Sequence, residues 1–108
     1  MPCEVLPTAD AARDLYEIYD HIALHDTPPK VDYVLKKIEL TFSRLSEFPE
    51  RGAFPKELLS LGIRESREIF FKPYRIIYQI INENIYVLLI ADGPRDMQML
   101  LQQRLLGA

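Results

Sequence analysis

The sequence predicts an α+β domain made of an N-terminal strand, a two-helix hairpin, an antiparallel three-strand meander and a C-terminal helix. Three observations carry that expectation. Apolar residues recur at intervals of three and four from Ala11 to Phe48, the period of an α-helix. Ile63 to Asp92 is rich in Ile, Tyr, Phe and Val and is interrupted only by short polar turns, the composition of paired strands. Met97, Leu100, Leu101 and Leu105 return to helical spacing near the C-terminus. Helices packed on an antiparallel sheet bury both sets of apolar residues.

Cys3 to Leu6 is a short apolar run stopped by Pro7, as in an edge strand leading into a helix. Thr8 is placed to cap that helix, and Asp10 in its first turn suits the positive end of the helix dipole. Ala11, Leu15, Ile18 and Ile22 then form one buried face, and the helix ends near Asp26. Pro28 and Pro29 separate it from a second helix, because proline lacks an amide donor and restricts the residue before it. Val31, Val34, Leu35, Ile38, Phe42, Leu45 and Phe48 mark that second helix up to Pro49.

The segment PERGAFPKELLSLG, rich in proline and glycine, is expected to be a loop with a turn of helix around Glu57 to Leu59. Strands are expected over Ile63 to Phe71, Tyr74 to Asn82 and Ile85 to Asp92. Lys72-Pro73 and Glu83-Asn84 are short enough to be hairpin turns between them. Alternation groups Arg67 with Glu65, Ile69 and Phe71, and Arg75 with Ile77, Gln79 and Ile81. Whether those two faces coincide depends on register. Asp96 is placed to cap the last helix, whose repeat also includes Arg104.

A length of 108 residues suits one domain spanning 1–108, with room for a single core. The longest apolar run, Ile85 to Ala91, is far short of a membrane span, and the acidic N-terminus is unlike a signal peptide. The lone Cys3 offers no internal disulfide and no thiol pair for zinc, which agrees with a cytoplasmic protein. A net charge of −3 is unlike proteins that grip many phosphates. The charge is uneven: residues 1–60 carry a net −4 and residues 61–108 a net +1, which allows one locally basic face.

Arg67, Arg75 and Arg95 interrupt the apolar strands and are expected to mark a surface that meets something anionic, since arginine is rarely buried without a partner. A salt bridge inside the fold, such as Arg95 with Asp92 or Asp96, is the structural alternative. His21 and His25 stand four apart on the first helix, a spacing that can serve one metal, but no third or fourth ligand accompanies them. No metal and no cofactor are expected. Tyr16 and Tyr19 are assigned to helix-edge packing.

Order and spacing together resemble the RelE/ParE superfamily of toxins from bacterial type II toxin-antitoxin systems, closer to the ParE branch. The resemblance rests on AARDLYEIYDHI, LSEFPERG, GIRESREIFFKPYRIIYQI, VLLIADGPRD and the terminal RLL. It implies a fold and a choice of two activities. RelE-like members cleave mRNA on the ribosome, whereas ParE-like members inhibit DNA gyrase. Arg75 and Arg95 match family arginines and Arg67 matches more loosely, so all three are the expected target-binding residues, or the catalytic ones in a nuclease. After Arg95, however, no Tyr, His or Lys follows to act as acid or base. Arginine stays charged and is a poor proton shuttle. The resemblance therefore implies a gyrase inhibitor linked to plasmid stabilization, with the ribosome and mRNA as the alternative target. It also implies a cognate antitoxin in a toxin-antitoxin hetero-oligomer, docked on helical faces around Leu15, Tyr19, Val34 and Phe42.

Overall fold

The computed structural model describes residues 3–92 and 96–106, and the side chains of all of these except Leu106. The elements are β1 (Glu4–Pro7), α1 (Ala9–His25), α2 (Pro28–Glu47), α3 (Lys56–Leu59), β2 (Ser66–Phe71), β3 (Tyr74–Ile81), β4 (Asn84–Asp92) and α4 (Met97–Leu106). This is the expected α+β order. The strands form one sheet in the order β1-β4-β3-β2. β2, β3 and β4 are the antiparallel meander, and β1 adds to its outer edge parallel to β4.

Thr8 caps α1 through its hydroxyl, which accepts from the Ala11 amide at 3.1 Å. The paired prolines start α2, where an amide would have no helical partner. Asp96 accepts from the Met99 amide and so caps α4. Two boundaries differ from the sequence reading. The first meander strand starts at Ser66 rather than Ile63, whose side chain packs instead against the cluster beneath α4. The second turn falls on Asn82 and Glu83, with Asn82 at φ 58°, a left-handed conformation asparagine tolerates well. Phe48 caps the end of α2 and is 64% exposed, outside the buried face assigned to it.

Sheet alternation sorts the core into two layers. On one face Ile69, Tyr74, Ile76, Tyr78, Ile85, Val87 and Ile90 pack under the α1–α2 hairpin with Ala11, Ile22, Val31, Val34, Ile38 and Leu45. On the other, Ile77, Leu89 and Ala91 pack under Leu58 of α3 and Met97 and Leu101 of α4. A bulge makes both possible: Ile77 faces Leu89 but Tyr78 faces Val87, so Leu88 is the extra residue in β4.

Candidate functional site

The sheet register separates the arginines. Arg75 pairs with Phe70, and Arg67 stands three residues earlier on β2 opposite Tyr78, so their side chains leave opposite faces of the sheet. They do not form the single surface that their spacing suggested. Arg95 lies outside the described residues.

Arg67 is turned toward the loop that follows α2. Its Nη1 donates to the carbonyls of Glu50 (3.2 Å) and Gly52 (2.9 Å), and its guanidinium lies 4.6 Å from the centre of the Phe54 ring. The same loop is fixed from below by Tyr78, whose hydroxyl donates to the Pro49 carbonyl at 2.7 Å and accepts from the Gly52 amide at 3.0 Å. Ala53 then pairs with Glu68 on the edge of β2. Residue 52 must be glycine, because a Cβ there would stand 2.6 Å from the Tyr78 hydroxyl and 2.7 Å from the Glu68 carbonyl oxygen.

Arg75 is buried between two carboxylates. Its Nη1 and Nη2 donate to the two oxygens of Glu57, each at 2.8 Å, and its Nε donates to Glu68 Oε2 at 2.9 Å, with Nη2 also reaching that oxygen. Sheet parity supplies Glu68, which lies on the face of Phe70, and α3 carries Glu57 across to it. Arg75 hydrogen bonds hold the Glu57 carboxyl below the usual carboxylate range, against burial, which raises it. The guanidinium is likewise held charged, above its ordinary value. Four hydrogen bonds tie it into a cage carrying two negative charges to its one.

Beside the cage lies an open pocket of about 460 Å³ with Phe54, Lys56, Phe70 and Lys72 at its walls. Phe70 is 61% exposed, and the Arg75 guanidinium sits 5.9 Å from its ring centre. These lysines and aromatic rings were not singled out by sequence reading. Their common signal is position, since all flank the hairpin or the loop that meets it.

A second ion pair anchors α4. Arg104 donates through Nη1 to Asp14 Oδ2 at 2.8 Å and through Nη2 to Oδ1, and its Nη1 also reaches the Leu88 carbonyl at 2.7 Å. Asp14 Oδ2 accepts from the Ile90 amide at 3.0 Å. The carbonyl of the bulge residue Leu88 and the edge amide of Ile90 are thus satisfied by side chains from two helices.

The helical residues expected to line a partner groove divide by burial. Val34 belongs to the core, Leu15 and Phe42 are half-buried against it, and Tyr19 remains 43% exposed. Val34, 5% exposed, therefore offers almost no accessible surface. Tyr16, Leu24, Tyr33 and Leu40 are exposed on the same hairpin, and Lys30 and Lys37 each approach the Tyr33 ring at 5.7 Å. His21 and His25 have ring centres 4.7 Å apart, and no cluster of three metal-ligating side chains occurs among the described residues. No described helix is long and apolar enough to cross a membrane.

Comparison with known proteins agrees with this architecture. Residues 5–97 match the family described as ParE toxin of type II toxin-antitoxin system, parDE. Toxin ParE3 of Caulobacter vibrioides is 27% identical over 93 residues, covering 86% of this chain and 89% of the relative. A chain from the chromosomal ParDE system of P. aeruginosa superimposes with a TM-score of 0.68 at 21% identity, over 83% of this chain and 95% of that one. A chain of the toxin-antitoxin complex RelBE2 from Mycobacterium tuberculosis gives 0.60 at 23% identity, over 85% and 99%.

Proposed function

Because the chain belongs to the ParE toxin family of type II toxin-antitoxin systems, we propose that it is a toxin that inhibits DNA gyrase by binding it and is silenced by a cognate antitoxin. The observation that carries this reading is the caged state of Arg75. RNA cleavage by 2′-hydroxyl attack needs proton transfer and positive charge at a crowded phosphate. Here the sheet arginine is outnumbered by Glu57 and Glu68, whose charge repels phosphate. A carboxyl held as low as that of Glu57 is a weak base. The terminal helix adds no titratable side chain near neutral pH: its sequence is MQMLLQQRLL, and Arg104 is bonded to Asp14. A protein that binds and traps a target needs none of these groups, and gyrase as target places the activity in the cytoplasm.

The antitoxin partner is supported by the solved relatives, which come from a ParDE toxin-antitoxin system and a RelBE2 complex. The exposed Tyr16, Tyr19, Tyr33 and Leu40 give the hairpin an apolar surface suited to a docked helix.

One observation favours the alternative, a ribosome-dependent mRNA endonuclease. The pocket beside Arg75 combines Lys56 and Lys72 with Phe54 and Phe70, groups that attract phosphate and stack on bases. Two assays on the purified protein separate the readings. Gyrase inhibition is expected to accumulate cleaved plasmid DNA in a supercoiling reaction while ribosome-bound mRNA stays intact. Cleaved mRNA with normal supercoiling would reverse the assignment.

A further inference from the structure

The outer surface of the helical hairpin carries large apolar side chains that no other element covers. α1 and α2 bury their inner faces on the same side of the sheet, with Ala11 and Ile22 from one and Val31, Val34, Ile38 and Leu45 from the other. The faces opposite these therefore look the same way, into solvent. Tyr16 and Leu24 of α1 are 72% and 79% exposed, and Tyr33 and Leu40 stand exposed on α2. Apolar side chains grouped in this way mark a contact surface.

The charges among them differ between the two helices. α1 carries Asp10, Asp14, Glu17 and Asp20 against Arg13, whereas α2 carries Lys30, Lys36, Lys37 and Arg44 against three acids. α1 runs along β4 from Val87 toward Asp92, and α2 returns to the start of β1, where Ser46 meets Cys3. Antiparallel helices keep residues level when they are counted equally from the turn at Asp26 and Thr27. By that count Glu17 is level with Lys36, Asp20 with Tyr33 between Lys30 and Lys37, and Arg13 with Leu40 beside Glu39. Within one chain these opposite charges do not meet: Glu17, Asp20, Lys36, Lys37 and Arg44 form no ion pair among the described residues.

That pattern selects the occupant. A nucleic-acid backbone offers one sign of charge and nothing apolar to cover Tyr16, Leu24, Tyr33 and Leu40. A second copy of the chain offers both signs and the same apolar groups. A two-fold axis lying in the outer surface, parallel to the helices, sets α1 of one copy on α2 of the other, antiparallel and at the same level, and repeats the contact by symmetry. Glu17 and Asp20 then face Lys36 and Lys37 twice over, while the apolar groups of both copies pack between four helices.

We propose that the outer surface of the hairpin closes on a second copy of this chain, giving a two-fold dimer in which each α1 packs on the other copy's α2. The surface assigned above to the antitoxin includes Tyr16, Tyr33 and Leu40, so the second copy and the antitoxin exclude each other there.

Sedimentation equilibrium of the purified protein alone tests this, and neither antitoxin nor target enters the measurement. A dimer is expected at about 100 µM in low salt, loosened by added salt because exposed ion pairs are screened. Glu17→Lys/Asp20→Lys and Lys36→Glu/Lys37→Glu change only exposed positions, so each variant is expected to keep the wild-type circular dichroism. Each by itself is expected to weaken self-association about tenfold or more, because like charges then meet in both contacts. An equimolar mixture of the two variants is expected to recover the dimer, since every contact between unlike copies again joins opposite charges. A wild-type monomer at that concentration, a dimer that both variants keep, or a mixture of folded variants that stays monomeric overturns the proposal.

Discussion

Arg75 and Glu57 meet as a two-bond fork, Nη1 to Oε2 and Nη2 to Oε1, both at 2.8 Å, with the side chains only 10% and 13% exposed. Glu68 completes the enclosure from the neighbouring strand. Removing the cation would leave two carboxylates facing each other in a nearly dry site. Arg75→Ala is therefore expected to destabilise the fold by about 3–5 kcal/mol, measured by urea denaturation. Replacing the whole group, as in Glu57→Gln/Arg75→Met/Glu68→Gln, should recover most of that loss. If the triple variant is stable and still toxic, Arg75 serves the fold; if it is stable and inert, the guanidinium contacts the target.

Glu57 also makes stability depend on pH. Its folded pKa lies below the unfolded one, so its contribution is complete above the unfolded value and is lost as pH falls through the folded value. Glu57→Gln should cost about 2 kcal/mol near neutral pH. The gap between wild type and variant is expected to narrow as pH falls below the ordinary glutamate value of about 4.3, read from denaturation midpoints at falling pH.

Gly52 is held against Tyr78 too closely for any side chain. Gly52→Ala should cost about 1–3 kcal/mol through overpacking. Tyr78→Phe removes the donor to Pro49 and the acceptor for the Gly52 amide, so it should loosen the same loop. Faster amide exchange confined to residues 49–54 in Tyr78→Phe is the expected signature. Unchanged exchange there would mean that Arg67 alone holds the loop.

Asp14 and Arg104 join α1, the β4 bulge and α4. Arg104→Met keeps the stem but leaves the Asp14 carboxylate with one remaining amide, an expected loss of about 2 kcal/mol. Hydrogen exchange should show α4 released before the sheet, because its other anchor is the small cluster of Met97, Leu101 and their neighbours.

Tyr19 and Tyr33 stand 43% and 52% exposed on the helical hairpin. Tyr19→Ser and Tyr33→Ser are expected to change stability by no more than about 0.5 kcal/mol. If the antitoxin docks there, each should weaken its binding about tenfold, as loss of an exposed aromatic anchor does. Unaltered affinity in calorimetry would move the antitoxin interface elsewhere.

The order of elements was legible in the chain because periodicity and turn residues act locally. Ala11, Leu15, Ile18 and Ile22 declared a helix face, Thr8 and Asp96 the caps of α1 and α4, and Lys72-Pro73 a hairpin. The faces of β2 and β3 stayed open in the sequence; the observed register sets Phe71 against Tyr74 and so places Glu68 on Arg75's face. Register and long-range contact decided the rest. A bulge at Leu88 shifts the alternation of β4, parity sends Arg67 and Arg75 to opposite faces, and Glu57 reaches Arg75 from α3, 18 residues away. Composition can say that a buried arginine needs an anionic partner. Only the packed chain fixes which carboxylates supply it, because ion pairs depend on distances of a few ångströms that no sequence spacing encodes.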